Sequence, residues 1–381
     1  MAASDLPGPK YRQVYEALLR QILSGRVRPG ARLPSEADMV QQFGASRITV
    51  ARALRELQLA GLVERRAGSG TYVGQSRGSN RPLNFGMLIP DFGTVEIFAA
   101  ICRGMLEAPE ARAHALSWAC TASPAADRGA EAWQACQQYI ARRVDGVFFA
   151  PLEHLPDRDA INRRIADALS AARIPVVLVD RSIEPYPHRG LHDLVGIDNR
   201  RAGALVTDHL LDLGCRQLTF VGRPDAASTV DAREAGFREA LGRRGLDASS
   251  DSVLRIDPSD ADAVERHMRA RHPEGVVCAS DRTAGLLTRT LIDLGWRVPE
   301  DVRLVGIDDV EYAALLRVPL TTLRQPTREI GVAAMAAMVE RVSNPDLPPR
   351  DILLHGRLVV RESCGHATLG PIQAHATPEL S

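Results

Sequence analysis

The sequence predicts a chain of two unlike parts: a small helical N-terminal unit closed by a β-hairpin, then a long α/β unit of two lobes. Three observations carry that expectation. Up to about residue 73, apolar residues recur at helical spacing and end in two short β-prone runs around a glycine-rich tip. From residue 84 onward, wholly apolar runs of four to seven residues alternate with helical stretches, the pattern of a parallel sheet covered on both faces. Charge divides at the same place: residues 1–80 hold 12 Lys and Arg against 6 Asp and Glu, and the remainder hold 35 against 41. A basic head on an acidic body suits a phosphate-binding module joined to something else, and 381 residues suit two or three compact units.

In the head, Val14, Leu18 and Ile22 recur every fourth residue, so 11–23 reads as a first helix, stopped by Gly25 with Pro29 soon after. Ser35 is a suitable N-cap for a second helix reaching about Phe43, and Gly44-Ala45 makes a tight turn. Ser46 caps a third helix whose Val50, Leu54 and Leu57 form a buried stripe, leaving Arg47, Thr49, Arg52 and Arg55 to point elsewhere. Arginines and a threonine on a free helix face suit the DNA major groove, where Arg reads guanine edges and also grips phosphate. The competing reading is an ordinary amphipathic helix with solvated arginines. Residues 62–66 and 71–73 read as strands joined by Ala67-Gly68-Ser69-Gly70, a tip that lets backbone approach a partner closely. Three helices and a basic hairpin make a winged helix-turn-helix.

The ordered set Pro29-Gly30, Leu33-Pro34-Ser35-Glu36, Phe43-Gly44, Ser46-Arg47, Thr49-Val50, Ala53-Leu54, Gly61-Leu62-Val63 and Gly68-Ser69-Gly70-Thr71-Tyr72-Val73 makes residues 9–75 resemble the GntR-type DNA-binding domain. The resemblance implies a homodimer on a short palindromic operator, with Arg47 and Thr49 meeting the groove, Arg52 near the backbone and Gly68 to Gly70 forming the wing. The full contact set it implies is Lys10, Ser35, Glu36, Ser46, Arg47, Ile48, Thr49, Arg52, Gly68, Ser69 and Gly70. Two positions depart from the family pattern: Ala37 and Ala51 stand where basic residues are common, so operator contacts are expected to be fewer or redistributed.

The polar, aperiodic stretch 76–83 reads as a linker. Beyond it, strands are expected at 84–90, 115–120, 144–150, 175–180, 217–222, 252–256, 275–279, 302–307 and 357–360, separated by helices. Two similar lobes follow, about 84–180 and 199–320, with the chain recrossing near the end and a disordered tail at 365–381. Ligands of such sheets bind outside the carboxyl ends of the strands. Asp91, Asp180, Asp281, Asp308 and Asp309 all stand at expected strand ends and point to a polar cleft, although a helix cap or exposed loop is the preferred reading for Asp281.

Val144-Asp145-Gly146-Val147, Val179-Asp180-Arg181, Gly196-Ile197-Asp198-Asn199, Phe220-Val221-Gly222, Val305-Gly306-Ile307-Asp308-Asp309, Pro319-Leu320-Thr321-Thr322 and Leu358-Val359-Val360-Arg361-Glu362-Ser363 make residues 84–364 resemble the periplasmic-binding-protein-like effector domain of the LacI/GalR repressors. The fold this implies is two Rossmann-like lobes of the periplasmic-binding-protein type I kind. A GntR head on such a body is similar in layout to the arabinose-repressor group. Carried over by position, the effector pocket involves Asp180, Arg181, Arg233, Ser280 and Asp308, with Gln325 in the shell and Asp91, Phe92 and Phe98 lining the N-terminal lobe. Carboxylates suit paired sugar hydroxyls, and Arg233 offers a fork for a hydroxyl pair or an anion. Ser280 stands where many relatives carry Asn. In the same layout Asp198-Asn199 begins a helix, with Asn199 as its cap, rather than supplying a catalytic acid.

Other function classes find little support. Cys102, Cys120, Cys136, Cys215, Cys278 and Cys364 lie far apart, so buried thiols in a reducing cytosol are expected rather than disulfides or a metal site. No apolar run approaches the ~18 residues of a membrane span, and residues 1–5 lack the order of a signal peptide. The single lysine, Lys10, lies in the head, which speaks against a pyridoxal enzyme needing a Schiff-base lysine. No phosphate-cradling glycine loop or nucleophile elbow is present, His209, His267 and His272 read as ordinary, and Asp308-Asp309 lacks a His or Cys cluster for metal. The expected function is a cytoplasmic, dimeric transcriptional repressor released by a small effector, a sugar, with no cofactor, metal or catalytic residue. A co-repressor response to a nucleoside or phosphorylated metabolite is the alternative, ahead of a GntR-fused enzyme.

Overall fold

Helix α1 (Lys10–Leu23), α2 (Glu36–Phe43) and α3 (Arg47–Leu59) are followed by strands β1 (Val63–Arg66) and β2 (Gly70–Val73). The computed structural model describes residues 10–23, 27, 30–59, 62–66, 69–73, 81–89, 96–118 and 128–366. The chain divides into two units, 1–80 and 81–381. In the first, Ser35 and Asp38 form a reciprocal capping box that starts α2, and Gly44, at φ 56°, ends it in the left-handed region where glycine carries no Cβ penalty. The stripe Val14, Leu18, Met39, Val50, Leu54 and Leu57 is buried, closed by Val63 and Val73 of the antiparallel β1–β2 pair. Residues 31–33 add a third edge: Leu33 N–H donates to Thr71 O and Val73 N–H to Ala31 O, each at 2.8 Å.

The second unit starts with β3 (Asn84–Leu88), α4 (Glu96–Glu107), β4 (Ala115–Trp118), α5 (Arg128–Arg142), β5 (Gly146–Phe149), α6 (Arg158–Ala171), β6 (Val176–Val179) and β7 (Asp193–Ile197). It continues through α7 (Asn199–Asp212), β8 (Leu218–Gly222), α8 (Ser228–Arg243), β9 (Val253–Arg255), α9 (Ala261–Arg271), β10 (Gly275–Cys278), α10 (Asp281–Asp293) and β11 (Arg303–Asp308). The last elements are β12 (Thr321–Arg324), α11 (Thr327–Ser343), β13 (Asp351–Leu354) and β14 (Arg357–Val359). Two six-stranded sheets result, β13-β7-β6-β5-β3-β4 and β14-β12-β11-β10-β8-β9, parallel throughout except where β14 runs against β12. Strands such as β5, β6, β8 and β10 are buried along their whole length, as sheets covered on both faces require.

The lobes differ from the expected spans in an instructive way. The chain crosses between sheets three times: after Ile197, after Arg324 and after Leu354. Strands β7, β12 and β13 were not expected, and α11 packs on α4 in the N-terminal lobe although it follows β12 of the other. Thr321 and Thr322 of β12 are both fully buried, their hydroxyls bonded to Arg361 and Asp281. Two further readings are corrected. The N-cap of α7 is Asp198, whose carboxylate accepts from Arg201 N–H, and not Asn199, whose side chain is turned inward. Asp281 is neither cap nor exposed: Ser280 caps α10, and Asp281 is fully buried, accepting from Val310 N–H at 3.1 Å and Thr322 Oγ1 at 2.5 Å. The linker 76–83 and the tail 365–381 fall largely outside the described residues, as do Cys120, Gly68, Asp91 and Phe92.

Candidate functional site

The free face of α3 is set by its own cap and by α2. Ser46 Oγ accepts from Thr49 N–H at 3.2 Å and lies 2.8 Å from Thr49 Oγ1, so the hydroxyl pair is fixed at the helix start. Arg47 and Ile48 follow, both strongly exposed, Ile48 at 83%. An isoleucine this exposed beside an arginine offers an apolar contact next to a hydrogen-bonding fork, the combination that meets a thymine methyl and a guanine edge. Glu36 is held between two cations, Arg65 Nη2 at 2.6 Å and Arg47 Nε at 3.6 Å, so it orients arginines rather than facing phosphate alone. Arg52 lies over the Tyr11 ring at 4.0 Å and 3.6 Å from Glu56, while Lys10 Nζ donates to Gly44 O at 3.0 Å, tying α1 to the turn. Ser35 is occupied by the capping box. In the wing, Ser69 Oγ lies 2.6 Å from Tyr72 Oη, and Gly70, at φ 118°, leaves room for Arg32 where a Cβ would sit 2.8 Å from its Nε. Arg32 and Arg65 were not among the expected contacts. Arg65 follows the expected strand start closely enough to have been nominated.

In the larger unit, a cavity of about 370 Å³ opens between the lobes at the carboxyl ends of the strands, lined from both sheets. Asp180 and Arg181 enter it after β6, Asp308 at the end of β11, Arg233 from α8 and Ser280 from the start of α10. Gln325 lies behind, donating from Nε2 to Asp308 Oδ1 at 2.8 Å. Arg233 is fixed by three groups: Asn199 Oδ1 at 2.8 Å, Ala279 O at 2.5 Å and Asp308 Oδ1 at 3.6 Å. That pair does not hold Asp308 in the ordinary carboxylate range. Burial dominates and pushes its carboxyl up to about 7, Arg233 pulling the other way with much of its fork spent on Asn199 and Ala279.

On the opposite wall, Arg181 Nη1 lies 2.6 Å from Glu153 Oε1 and Arg181 Nε 3.1 Å from Asp180 Oδ2, above the Phe98 ring at 5.2 Å. Burial works to raise Glu153, but the Arg181 and His154 charges and an N–H from Ala227 bring it down to about 2. His154 itself is held below the usual imidazole range by burial. Arg128, Glu153, His154, Arg223 and Arg282 also line the cavity and were not nominated from sequence. Glu153, His154 and Arg223 all follow strand ends, the signal that picked Asp180. Among the described residues no cluster of His, Cys, Asp or Glu could hold a metal, the five described cysteines are free and buried, and no helix is long and apolar enough to cross a membrane.

Comparison with known proteins agrees with both units. The family of bacterial regulatory proteins, gntR family, matches residues 10–73, and the periplasmic binding protein-like domain matches residues 207–364. The arabinose metabolism transcriptional repressor of Geobacillus stearothermophilus is 28% identical over 367 residues, covering 93% of this chain and 97% of that one. The ribose operon repressor of Escherichia coli is 27% identical over 59% of this chain and 66% of its own. Among solved structures, the transcriptional regulator CelR in complex with cellobiose has a TM-score of 0.63 at 25% identity, covering 83% of this chain and 90% of that one. The transcription regulator CcpA of Lactococcus lactis shares the fold, with a TM-score of 0.63 at 21% identity over 74% of this chain and 99% of its own. The chain is an effector-responsive transcriptional repressor, built as a gntR-family winged helix-turn-helix head on a LacI/GalR-type, periplasmic-binding-protein-like body.

Proposed function

We propose that this repressor acts as a homodimer whose operator affinity is set by a sugar-like effector bound between the two lobes. The observation that carries the reading is the cleft itself: Asp180 and Asp308 at strand ends meet Arg233 of α8 there, offering acceptors and a donor fork for paired hydroxyls. The named functions of the arabinose repressor and the cellobiose complex of CelR support a carbohydrate as ligand class. In the head, Arg47, Ile48 and Thr49 read the major groove, Arg65 and Arg52 approach phosphate, and Ser69 and Gly70 belong to the wing. Two heads would meet half-sites about one helical turn, ~34–36 Å, apart.

Effector binding favours one angle between the lobes, and the three adjacent crossings at Ile197–Asn199, Arg324–Thr327 and Leu354–Arg357 are where that angle changes. Coupling of ~1–3 kcal/mol between the two sites gives roughly 5–150-fold in operator affinity, with release by ligand as the sign. The test is operator binding by fluorescence anisotropy at fixed salt, with and without sugars that raise the melting temperature. Asp308→Ala is expected to retain operator binding and lose the response. If every stabilising sugar leaves operator affinity unchanged, the cleft does not control the head.

A further inference from the structure

The charges around the cleft do not match group for group. The N-terminal-lobe wall carries the carboxylates Glu96, Glu153 and Asp180, and two of them, Glu153 and Asp180, are bonded by one cation, Arg181. Arg223 faces the same cavity from the other lobe, directly after β8. Its Nε is buried without a hydrogen-bond partner, and no described carboxylate forms an ion pair with its guanidinium. Arg128, at the start of α5, completes the group: burial, with the charges of Arg181 and Arg223, holds its pKa below the ordinary arginine value against the pull of Glu153. Arg128, Arg181 and Arg223 therefore line one cavity, and the carboxylates that Arg181 binds make no ion pair with Arg223.

A buried N–H without an acceptor costs free energy, and like charges facing one cavity repel. An anion entering the cleft relieves both, because the planar guanidinium fork matches the oxygens of a carboxylate or phosphate. The cleft also holds an acceptor suited to hydroxyl groups: Asp180 Oδ1 is buried with no bonded donor. Resting on the reading that this cleft is the effector site, we propose that the effector is a polyhydroxylated anion, a sugar bearing a carboxylate or a phosphate ester. Its charged group sits against Arg223 and Arg128, and its hydroxyls face Asp180 and Asp308.

The experiment compares a pentose and a hexose, each as free sugar, aldonate and phosphate ester, together with inorganic phosphate. Binding is read by thermal melting and calorimetry at constant ionic strength. A charged member is expected to bind about tenfold or more tighter than its neutral counterpart, and Arg223→Gln or Arg128→Gln to remove that preference. Circular dichroism and the unliganded melting temperature report whether each variant is folded. A best ligand among the aldonates identifies a carboxylate effector, and one among the esters a phosphate. Neutral sugars binding as tightly as charged ones, with Arg223→Gln affecting both alike, overturn the anion while leaving the sugar-effector reading intact. Absence of binding by every anion also overturns it. Anions that bind tightly yet leave operator affinity unchanged uphold the anion site and overturn the effector reading instead.

Discussion

Asp180 and Asp308 take positive φ values of 71° and 138° at the ends of β6 and β11, a conformation that costs a non-glycine residue about 1–3 kcal/mol. Both residues line the cleft. Burial pushes Asp308 from the ordinary 3.8 up to about 7, so the folded chain holds a proton there that the unfolded chain releases. This group's contribution to stability therefore falls as pH rises from 3.8 to about 7. Asp281, raised chiefly by burial to about 6, acts in the same sense. The half-buried His154, His192, His209 and His267, each held down by partial burial, act in the opposite sense. The informative quantity is thus the stability of wild type relative to Asp308→Asn between pH 5 and 8, which is expected to decline as pH rises. A constant difference would mean that Asp308 titrates normally. At the other end of the chain, Arg47→Ala should weaken operator binding by ~1–3 kcal/mol, and Ile48→Ala should relax preference at one A·T pair. Unchanged affinity at fixed salt for both would remove α3 from the groove.

Among elements, α8 owes its position to contact with α7. A Cβ on Gly236 would lie 1.9 Å from Arg200 O, and one on Gly203 would lie 2.0 Å from Arg233 O. Backbone meets backbone at both points, so no side chain can move aside. Gly236→Ala should destabilise the fold by about 1–3 kcal/mol and, because Arg233 rides on α8, weaken ligand binding as well. Chemical denaturation together with a ligand titration checks this. A variant with unaltered midpoint and affinity would show that the two helices separate freely.

Across the whole effector unit, the returning chain is fastened by one buried carboxylate. Asp193 of β7 accepts from Arg341 Nε at 3.0 Å, Arg341 Nη2 at 2.8 Å and Arg350 N–H at 2.8 Å, joining α11 and the start of β13 to the N-terminal sheet. Burial favours the neutral acid, yet these bonds and the two arginine charges keep its pKa below the ordinary value. Asp193→Ala leaves Arg341 uncompensated and is expected to cost about 3–5 kcal/mol. Its melting temperature should fall at neutral pH, with the deficit shrinking as acid protonates Asp193 in the wild type. A loss below about 1 kcal/mol, the range of exposed pairs, would mean that the returning segment is held by packing alone.

The sequence by itself determined the winged head and the succession of strands and helices, because both are written in local patterns. Ser35, Gly44 and Ser46 mark helix ends, Val50, Leu54 and Leu57 mark a buried face, and apolar runs mark covered strands. It also placed Asp180, Arg181 and Asp308 near strand ends, where a cleft forms in any such sheet, while Arg233, on a helix, was reached only through the LacI/GalR resemblance. Only the tertiary structure decided which strand ends meet. Asp281 reads as a helix cap or exposed loop until β12 lays Thr322 beside it, and the strand at Thr321-Thr322, missed in the sequence, is defined only where β11 and β14 enclose it. The triple crossing belongs to the same class, since β13 and β14 are adjacent in sequence and lie in different sheets. So does the convergence of Arg128, Arg181 and Arg223, which stand up to 95 residues apart in the chain. Charges separated by that much sequence become neighbours only through the packing of two lobes, and no local pattern encodes it.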